Sequence, residues 1–191
     1  RIGEILRERP LKKLLEVGPG GGALTRHLLT IPSADLRCIE IDAEKIAYLI
    51  KSYPALKDRI ISEDILRASK PFDEPFTVVG NFPYNISTQI VFKMLDWKDS
   101  VEVMVGMFQK EVAQRIAARE GSRIYGVTSV LVQAFFAVEY LFEVDEQAFN
   151  LPPKVKSAVI RMTPLPHPVA MRSHRAFTVL VKTAFGQRRK T

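Results

Sequence analysis

Lys13-Leu14-Leu15-Glu16-Val17-Gly18-Pro19-Gly20-Gly21-Gly22-Ala23-Leu24-Thr25 joins an apolar run to a glycine-rich turn and to the start of a second apolar stretch, Leu24 to Leu29. A short apolar run that stops at Gly and Pro reads as a buried strand. Glycines in the turn let the backbone approach a ligand closely, and the helix behind it presents free N–H groups at its start. Gly18-x-Gly20-x-x-Ala23 satisfies the relaxed dinucleotide fingerprint, and the same loop suits any adenosine-containing cofactor. Strand, glycine turn and helix in this order open an α/β fold.

Three further strands are expected after this unit. Asp35 to Ile41 is the second, with a helix from Ala43 to Lys51 behind it. Its end carries Glu40, 22 residues beyond Gly18, close to the offset of roughly 20 at which an acidic side chain reaches ribose hydroxyls. Arg59 to Ser62 is the third and ends in Glu63-Asp64, where Asp64 can accept a hydrogen bond from an adenine amino group. Phe76 to Val79 is the fourth and delivers Gly80-Asn81-Phe82-Pro83-Tyr84-Asn85. Ligands of open α/β sheets sit beyond the carboxyl ends of strands, so this turn is a candidate for chemistry. Asn81 offers a carbonyl acceptor, Pro83 restricts Phe82 to an extended conformation, and Tyr84 supplies a flat face. Taken alone, the stretch also reads as an ordinary strand-to-helix turn.

The later chain gives a helix from Ser87 to Leu95, a strand from Val101 to Phe108, and an amphipathic helix from Gln109 to Arg119 with Val112 and Ile116 inward. An apolar helix from Val127 to Phe136 precedes two close strands, Val138 to Val144 and Lys154 to Met162. Alternation for five strands followed by two strands in succession predicts a doubly wound sheet closed by an antiparallel hairpin. Pro164, Pro166 and Pro168 mark a break, and Ser173 to Phe185 can form a helix with too little apolar surface to fold alone. The expected domains are residues 1–164, binding the cofactor, and residues 165–191, a linker and the incomplete beginning of a basic helical domain.

Composition narrows the class. The 191 residues are 47% hydrophobic and 26% charged, an ordinary globular balance. No apolar run approaches the roughly 20 residues that span a bilayer and no leader pattern opens the chain, so a cytoplasmic protein is expected. The only cysteine, Cys38, lies in an expected strand and reads as a core residue. With three scattered histidines, it leaves no ligand set for a metal, and none is expected. The net charge is +7, from 28 basic and 21 acidic residues. Nine of the basic residues and none of the acidic ones fall between Lys154 and Thr191, which leaves 19 basic against 21 acidic in the rest. Excess positive charge confined to one end points to a polyanion, with nucleic acid favoured over a basic tail that merely helps solubility. A nicotinamide-dependent oxidoreductase would share the glycine loop. It would leave Asn81 to Tyr84 without a role, and no tyrosine or histidine proton donor stands at a dehydrogenase-like spacing.

Glu16-Val-Gly-Pro-Gly-Gly-Gly-Ala-Leu-Thr25, Glu40 in Ile-Glu-Ile-Asp, Asn81-Phe-Pro-Tyr-Asn-Ile-Ser87, Gln109-Lys-Glu-Val-Ala113, Tyr125-Gly126 and Phe149-Asn-Leu-Pro-Pro-Lys-Val-Lys-Ser-Ala-Val159 together resemble the small-subunit ribosomal RNA adenine N6,N6-dimethyltransferases. The resemblance covers nearly the whole chain and implies a Rossmann-like class I methyltransferase fold. It implies S-adenosylmethionine as cofactor, held by Glu16, Gly18, Gly20, Glu40, Ile41, Asp64, Ile65 and Asn81. The implied substrate is a pair of adjacent adenines in a hairpin loop near the 3′ end of small-subunit RNA, each receiving two methyl groups during ribosome assembly. The implied catalytic set is Asn81, Phe82 through its backbone carbonyl, Pro83, Tyr84 and Phe149. Lys110, Arg115, Lys154, Lys156, Arg188, Arg189 and Lys190 are the expected phosphate contacts, and the protein is expected to act as a monomer on the assembling small subunit.

Gly21, Glu63, Leu151 and Lys156 depart from the residues usual in this family, without removing a matched functional group. A Gly-Gln-x-Phe-Leu-like segment that covers the cofactor is expected before Arg1, and a helical domain after Lys190. Two other readings stay open on the sequence: a resistance-type dimethyltransferase of the large-subunit RNA, and a non-catalytic ribosome assembly or RNA-binding factor.

Overall fold

The computed structural model describes residues 2–8, 10–148 and 155–187. The chain divides into two compact units, Arg1–Phe108 and Gln109–Thr191.

The first unit is a run of alternating strands and helices: α1 (Ile2–Leu6), β1 (Lys13–Val17), α2 (Thr25–Leu28), β2 (Asp35–Ile39), α3 (Ala43–Ser52), β3 (Ile60–Ile61), β4 (Phe76–Asn81), α4 (Ser87–Asp96) and β5 (Val101–Gln109). Its strands lie side by side in the order β3-β2-β1-β4-β5, and every pair is parallel. A parallel sheet is covered on both faces, so its strands read as continuous apolar runs rather than as alternation. Leu14, Leu15, Cys38, Phe76, Val78 and Val79 are accordingly all fully buried. Each such aliphatic or aromatic side chain stabilises the fold by roughly 1.5–3 kcal/mol. Asp42 caps α3, its carboxylate accepting from the N–H groups of Glu44 and Lys45 at 3.0 and 3.3 Å.

Strand β4 runs two residues beyond the Val79 end expected from sequence. It stays in register with β5 through Gly80 opposite Gly106 and Asn81 opposite Met107. Two glycines facing each other fit a strand only where something else fills the space above them.

The second unit contains α5 (Lys110–Ile116), α6 (Val127–Gln133), β6 (Phe136–Val144), β7 (Ser157–Pro164) and α7 (His174–Gln187). β6 and β7 pair antiparallel from Phe136 opposite Pro164 to Val144 opposite Ser157, with a bulge between Tyr140 and Phe142. Their burial differs: β7 is buried over Ser157 to Ile160, whereas β6 is mostly half-exposed. Helix α5 ends three residues short of Arg119, and Val112 is only half-buried while Ala113 and Ile116 reach the core. The proline-containing break after β7 is hydrogen-bonded, Leu165 and Val169 donating to the carbonyls of Phe135 and Ala134. Beyond it, α7 packs through His174 on Phe135 and Phe185 on Tyr125, with ring centroids 5.2 and 6.2 Å apart. The fold is α/β, mostly parallel, with an antiparallel C-terminal hairpin. Among the described residues no helix is long and apolar enough to cross a membrane.

Candidate functional site

The carboxyl ends of β1, β2 and β3 and the turn after β4 line one open cleft. Its wall includes Val17, Gly18, Glu40, Ile41, Asp64, Ile65 and Pro83. Six residues singled out from sequence therefore meet in one place, although 65 positions separate Gly18 from Pro83. The topology explains this, because parallel strands deliver successive loops to the same edge.

Gly18 donates its N–H to the carbonyl of Ile39 at 2.9 Å, which ties the start of the loop to the end of β2. Its φ of +67° lies in the left-handed region, and a Cβ there would stand 3.6 Å from the Pro83 ring. A side chain at this position would narrow the cleft between loop and turn. Glu40 is 7% exposed, and its carboxylate is held by three backbone N–H groups: Ile41 at 3.0 Å and Asp42 at 3.1 Å on Oε1, Gly20 at 3.3 Å on Oε2. Gly20 thus touches the site through Glu40 without lining the cleft. Asp64 accepts from the N–H of Leu66 at 2.9 Å through Oδ1. Ile41 is 67% exposed, a large apolar side chain left in water at the mouth of a cleft.

A nucleoside fits these residues. Carboxylates that follow two neighbouring strands can accept from ribose hydroxyls and from an exocyclic amine, the exposed Ile41 suits the face of a planar base, and Gly18 keeps the wall opposite Pro83 free of a side chain.

Glu16 is placed differently. It is 1% exposed, beneath the loop and outside the cleft wall. Its Oε2 accepts from the Thr25 hydroxyl at 2.7 Å and from the Cys38 thiol at 3.8 Å, joining β1 to the start of α2 and to β2. Burial pushes its carboxyl up to about 7, against the smaller opposing pull of these two donors.

The turn beyond β4 is built by shape. Asn81 is exposed at the last position of the strand, and Tyr84 is half-buried. Phe82 is 1% exposed, with its ring 5.1 Å from that of Phe108 and its N–H on the Met107 carbonyl at 3.2 Å. Its side chain belongs to the core, not to the cleft wall. The Pro83 carbonyl accepts from the N–H of Ile86 at 3.1 Å, and that of Tyr84 from the Ser87 hydroxyl at 3.1 Å.

Of the expected phosphate contacts, Lys110, Arg115 and Lys156 lie in the second unit. Arg115 and Lys156 are exposed. The ammonium of Lys110 pairs with Glu143 at 2.8 Å, and its N–H donates to the Lys156 carbonyl at 2.8 Å. Hydrogen bonding from Lys110 holds the Glu143 carboxyl below its ordinary value. Phe149, Lys154, Arg188, Arg189 and Lys190 lie outside the described residues.

Sequence reading missed Glu63, Ile86 and Ile90 in the cleft wall, and Tyr53 above the glycine loop. Ile86 follows the Asn81 turn by two residues and could have been included. Tyr53 carries no local signal, being 31 residues from Gly22, to whose carbonyl its hydroxyl donates at 3.4 Å.

The parallel sheet, the cleft at its strand ends and the Asn-Phe-Pro-Tyr turn together define a Rossmann-like methyltransferase. The family described as ribosomal RNA adenine dimethylase matches residues 2–191, and the chain belongs to it. It is 53% identical over 193 residues to ribosomal RNA small subunit methyltransferase A of Bacteroides fragilis, covering all of this chain and 71% of that protein. It is 52% identical over 181 residues to the protein of the same name from Phocaeicola vulgatus, covering 93% of this chain and 64% of that one. The chain therefore spans about two thirds of the length of these relatives. The crystal structure of the 23S rRNA methyltransferase ErmE is similar with a TM-score of 0.82 at 28% identity, over 99% of this chain and 76% of that one. The chain is thus nearer in sequence to the small-subunit enzymes than to this large-subunit one.

Proposed function

We propose that the protein transfers methyl groups from S-adenosylmethionine to the N6 amino groups of two adjacent adenines in the 3′-terminal hairpin loop of small-subunit ribosomal RNA. The observation that carries this reading is the meeting of Gly18, Glu40, Ile41, Asp64, Ile65 and Pro83 around one cleft, immediately before the turn that bears Asn81. Identity above 50% to relatives named for the small subunit supports the choice of RNA.

Glu40 accepts from the ribose, Asp64 from the adenine amine, and Ile41 and Ile65 cover the adenine; Gly18 leaves space near the methionine end. When bound, S-adenosylmethionine supplies an electrophilic sulfonium methyl. An adenine amino group is a weak nucleophile because its lone pair is delocalised into the ring. The Asn81 side-chain carbonyl and the Phe82 backbone carbonyl accept its two hydrogens, which favours a pyramidal nitrogen and aims the lone pair. With the cofactor bound, the oriented nitrogen would take the methyl as its bond to sulfur breaks, and the displaced N–H proton would pass to water. Positioning in such a preorganised site is worth several kcal/mol of barrier.

The target base leaves its stack to reach this turn, where Tyr84 and Phe149 cover its two faces. Lys110, Arg115, Lys154, Lys156, Arg188, Arg189 and Lys190 hold RNA phosphates. The protein acts as a cytoplasmic monomer, residues 1–164 carrying the reaction and residues 165–191 beginning a basic helical domain.

Asn81→Ala tests the assignment. Transfer of labelled methyl to unmodified small-subunit RNA, measured at saturating cofactor, is expected to fall by about 100-fold or more. Native-level transfer by this variant would remove the acceptor role.

A further inference from the structure

We infer that Gly106 on β5 is a positioning residue for methyl transfer, acting through the Phe82 ring on the carbonyls that receive the adenine amine. The inference rests on the role of Asn81 and Phe82 proposed above and adds what fixes them.

Gly80 and Gly106 are partners across β4 and β5. A Cβ on Gly106 would fall on the ring edge of Phe82 at Cε2, with Cδ2 at 2.8 Å and Phe108 Cε2 at 2.9 Å. A Cβ on Gly80 would meet the same ring at 2.7 and 3.0 Å and the Val17 carbonyl at 2.6 Å. All these separations fall short of the roughly 3.5–4.0 Å at which carbon atoms attract. The two glycines therefore form a slot one ring wide, filled by Phe82 and closed on one side by Phe108. The ring folds back over its own strand, and Phe82 donates its N–H to Met107, the residue next to Gly106.

Asn81 and the Phe82 carbonyl lie at the base of that ring, on the backbone it immobilises. A proline at 83 fixes the peptide that follows, so the ring in its slot and the proline hold the turn from opposite sides. Gly106 touches neither cofactor nor substrate in this account. Its contribution is an empty volume, and filling it displaces the acceptors without changing any polar group. A displacement of about 1 Å in such a site can cost about 100-fold in rate.

The test is a double-mutant cycle on Gly106→Ala and Phe82→Leu, read as single-turnover methyl transfer, cofactor affinity by calorimetry and thermal unfolding. Gly106→Ala is expected to lower the rate about tenfold or more, with cofactor affinity within about threefold. Adding Phe82→Leu, which removes the ring edge that the new methyl strikes, is expected to recover most of the loss. Recovery of rate that exceeds any recovery of thermal stability is not expected of a merely structural glycine. A folded Gly106→Ala variant with native rate, or a double variant no faster than the single one, overturns the inference. Should Gly106→Ala not fold, Phe82→Leu alone decides. Its backbone carbonyl is chemically unchanged, so a rate at least about threefold below native with cofactor affinity kept supports the slot, and a native rate overturns it. Asn81→Ala measured alongside separates the two claims. If it abolishes transfer while the Gly106 and Phe82 variants keep the native rate, only the slot fails. If it is fully active, the acceptor reading itself is wrong.

Discussion

The glycine loop after β1 and the turn after β4 face the same cleft and are held in place by opposite means. Around the loop the support is polar: Glu40 gathers three backbone N–H groups, Glu16 gathers a hydroxyl and a thiol, and Gly18 bonds to the end of β2. Around the turn the main support is volume: a phenyl ring sits between two glycines and against a second ring, and the hydrogen bonds there join neutral backbone and hydroxyl groups with no carboxylate among them. A ligand-binding loop fixed by carboxylates can exchange those bonds for bonds to a ligand. A turn fixed by packing has no such alternative and keeps one geometry through repeated transfers. Binding and reaction are therefore placed on supports that respond to different perturbations, charge in one case and size in the other.

The largest expected effect tests the polar half of this contrast. Buried Glu16 keeps its proton up to about pH 7, against an ordinary value of 4.5. Below pH 4.5 folded and unfolded chains are both protonated at this residue and it adds no pH dependence. Between about 4.5 and 7 only the unfolded chain releases the proton, so native stability falls as pH rises, by about 3 kcal/mol in all, and is level above. Glu16→Gln removes this slope. The native-minus-variant unfolding free energy in urea should drop by about 3 kcal/mol from pH 4.5 to pH 7.5, and a difference that does not move with pH would show that the carboxylate is solvated after all.

A smaller effect sharpens the boundary between the two modes, because the loop uses volume at one point. Gly22 has φ of +80°, and a Cβ there would stand 2.5 Å from Tyr53 Cε2. Gly22→Ala should destabilise by about 2 kcal/mol, from left-handed backbone and overpacking together. In a Tyr53→Ala background the same change should cost about 1 kcal/mol, the backbone part alone. Equal costs in the two backgrounds would mean that Tyr53 swings aside and the loop is held by hydrogen bonds only.

The smallest effect lies away from both. Lys110 and Glu143 are each about a third or more exposed, and exposed pairs contribute less than about 1 kcal/mol. Glu143→Gln should leave stability within that limit while releasing the Lys110 ammonium, and RNA affinity at low salt should rise or hold. A fall in affinity would place Lys110 outside the RNA contact.

Much of the first unit was legible because a parallel sheet leaves a local signature: apolar runs punctuated by Gly18, by Glu40 and by Asp64, each at a strand end. The cleft residues could be read for the same reason, since strand ends share one edge. What escaped was tertiary. Gly80 looked like the end of a strand because glycine rarely continues one, and only its partner Gly106 shows why the strand goes on. Phe82 read as part of a motif facing the ligand, whereas its ring turns inward to a slot made by residues up to 26 positions away. Glu16 matched a binding motif but lies under the loop, a distinction set by burial and not by spacing. Lys110 read as a cation open to phosphate, and its pairing with Glu143 depends on a strand 33 residues later.

Cys38 gives the first unit a built-in clock. The chain has one cysteine, fully buried in β2, and burial together with the Glu16 charge raises its thiol far above the range in which it would react. A thiol reagent can reach it only when β2 parts from its neighbours, so the labelling rate counts openings of the sheet centre. Because Glu16 is the group that Cys38 touches, ligands that steady the glycine loop should slow that clock, and the protein reports the rigidity of its own cofactor site without any added probe.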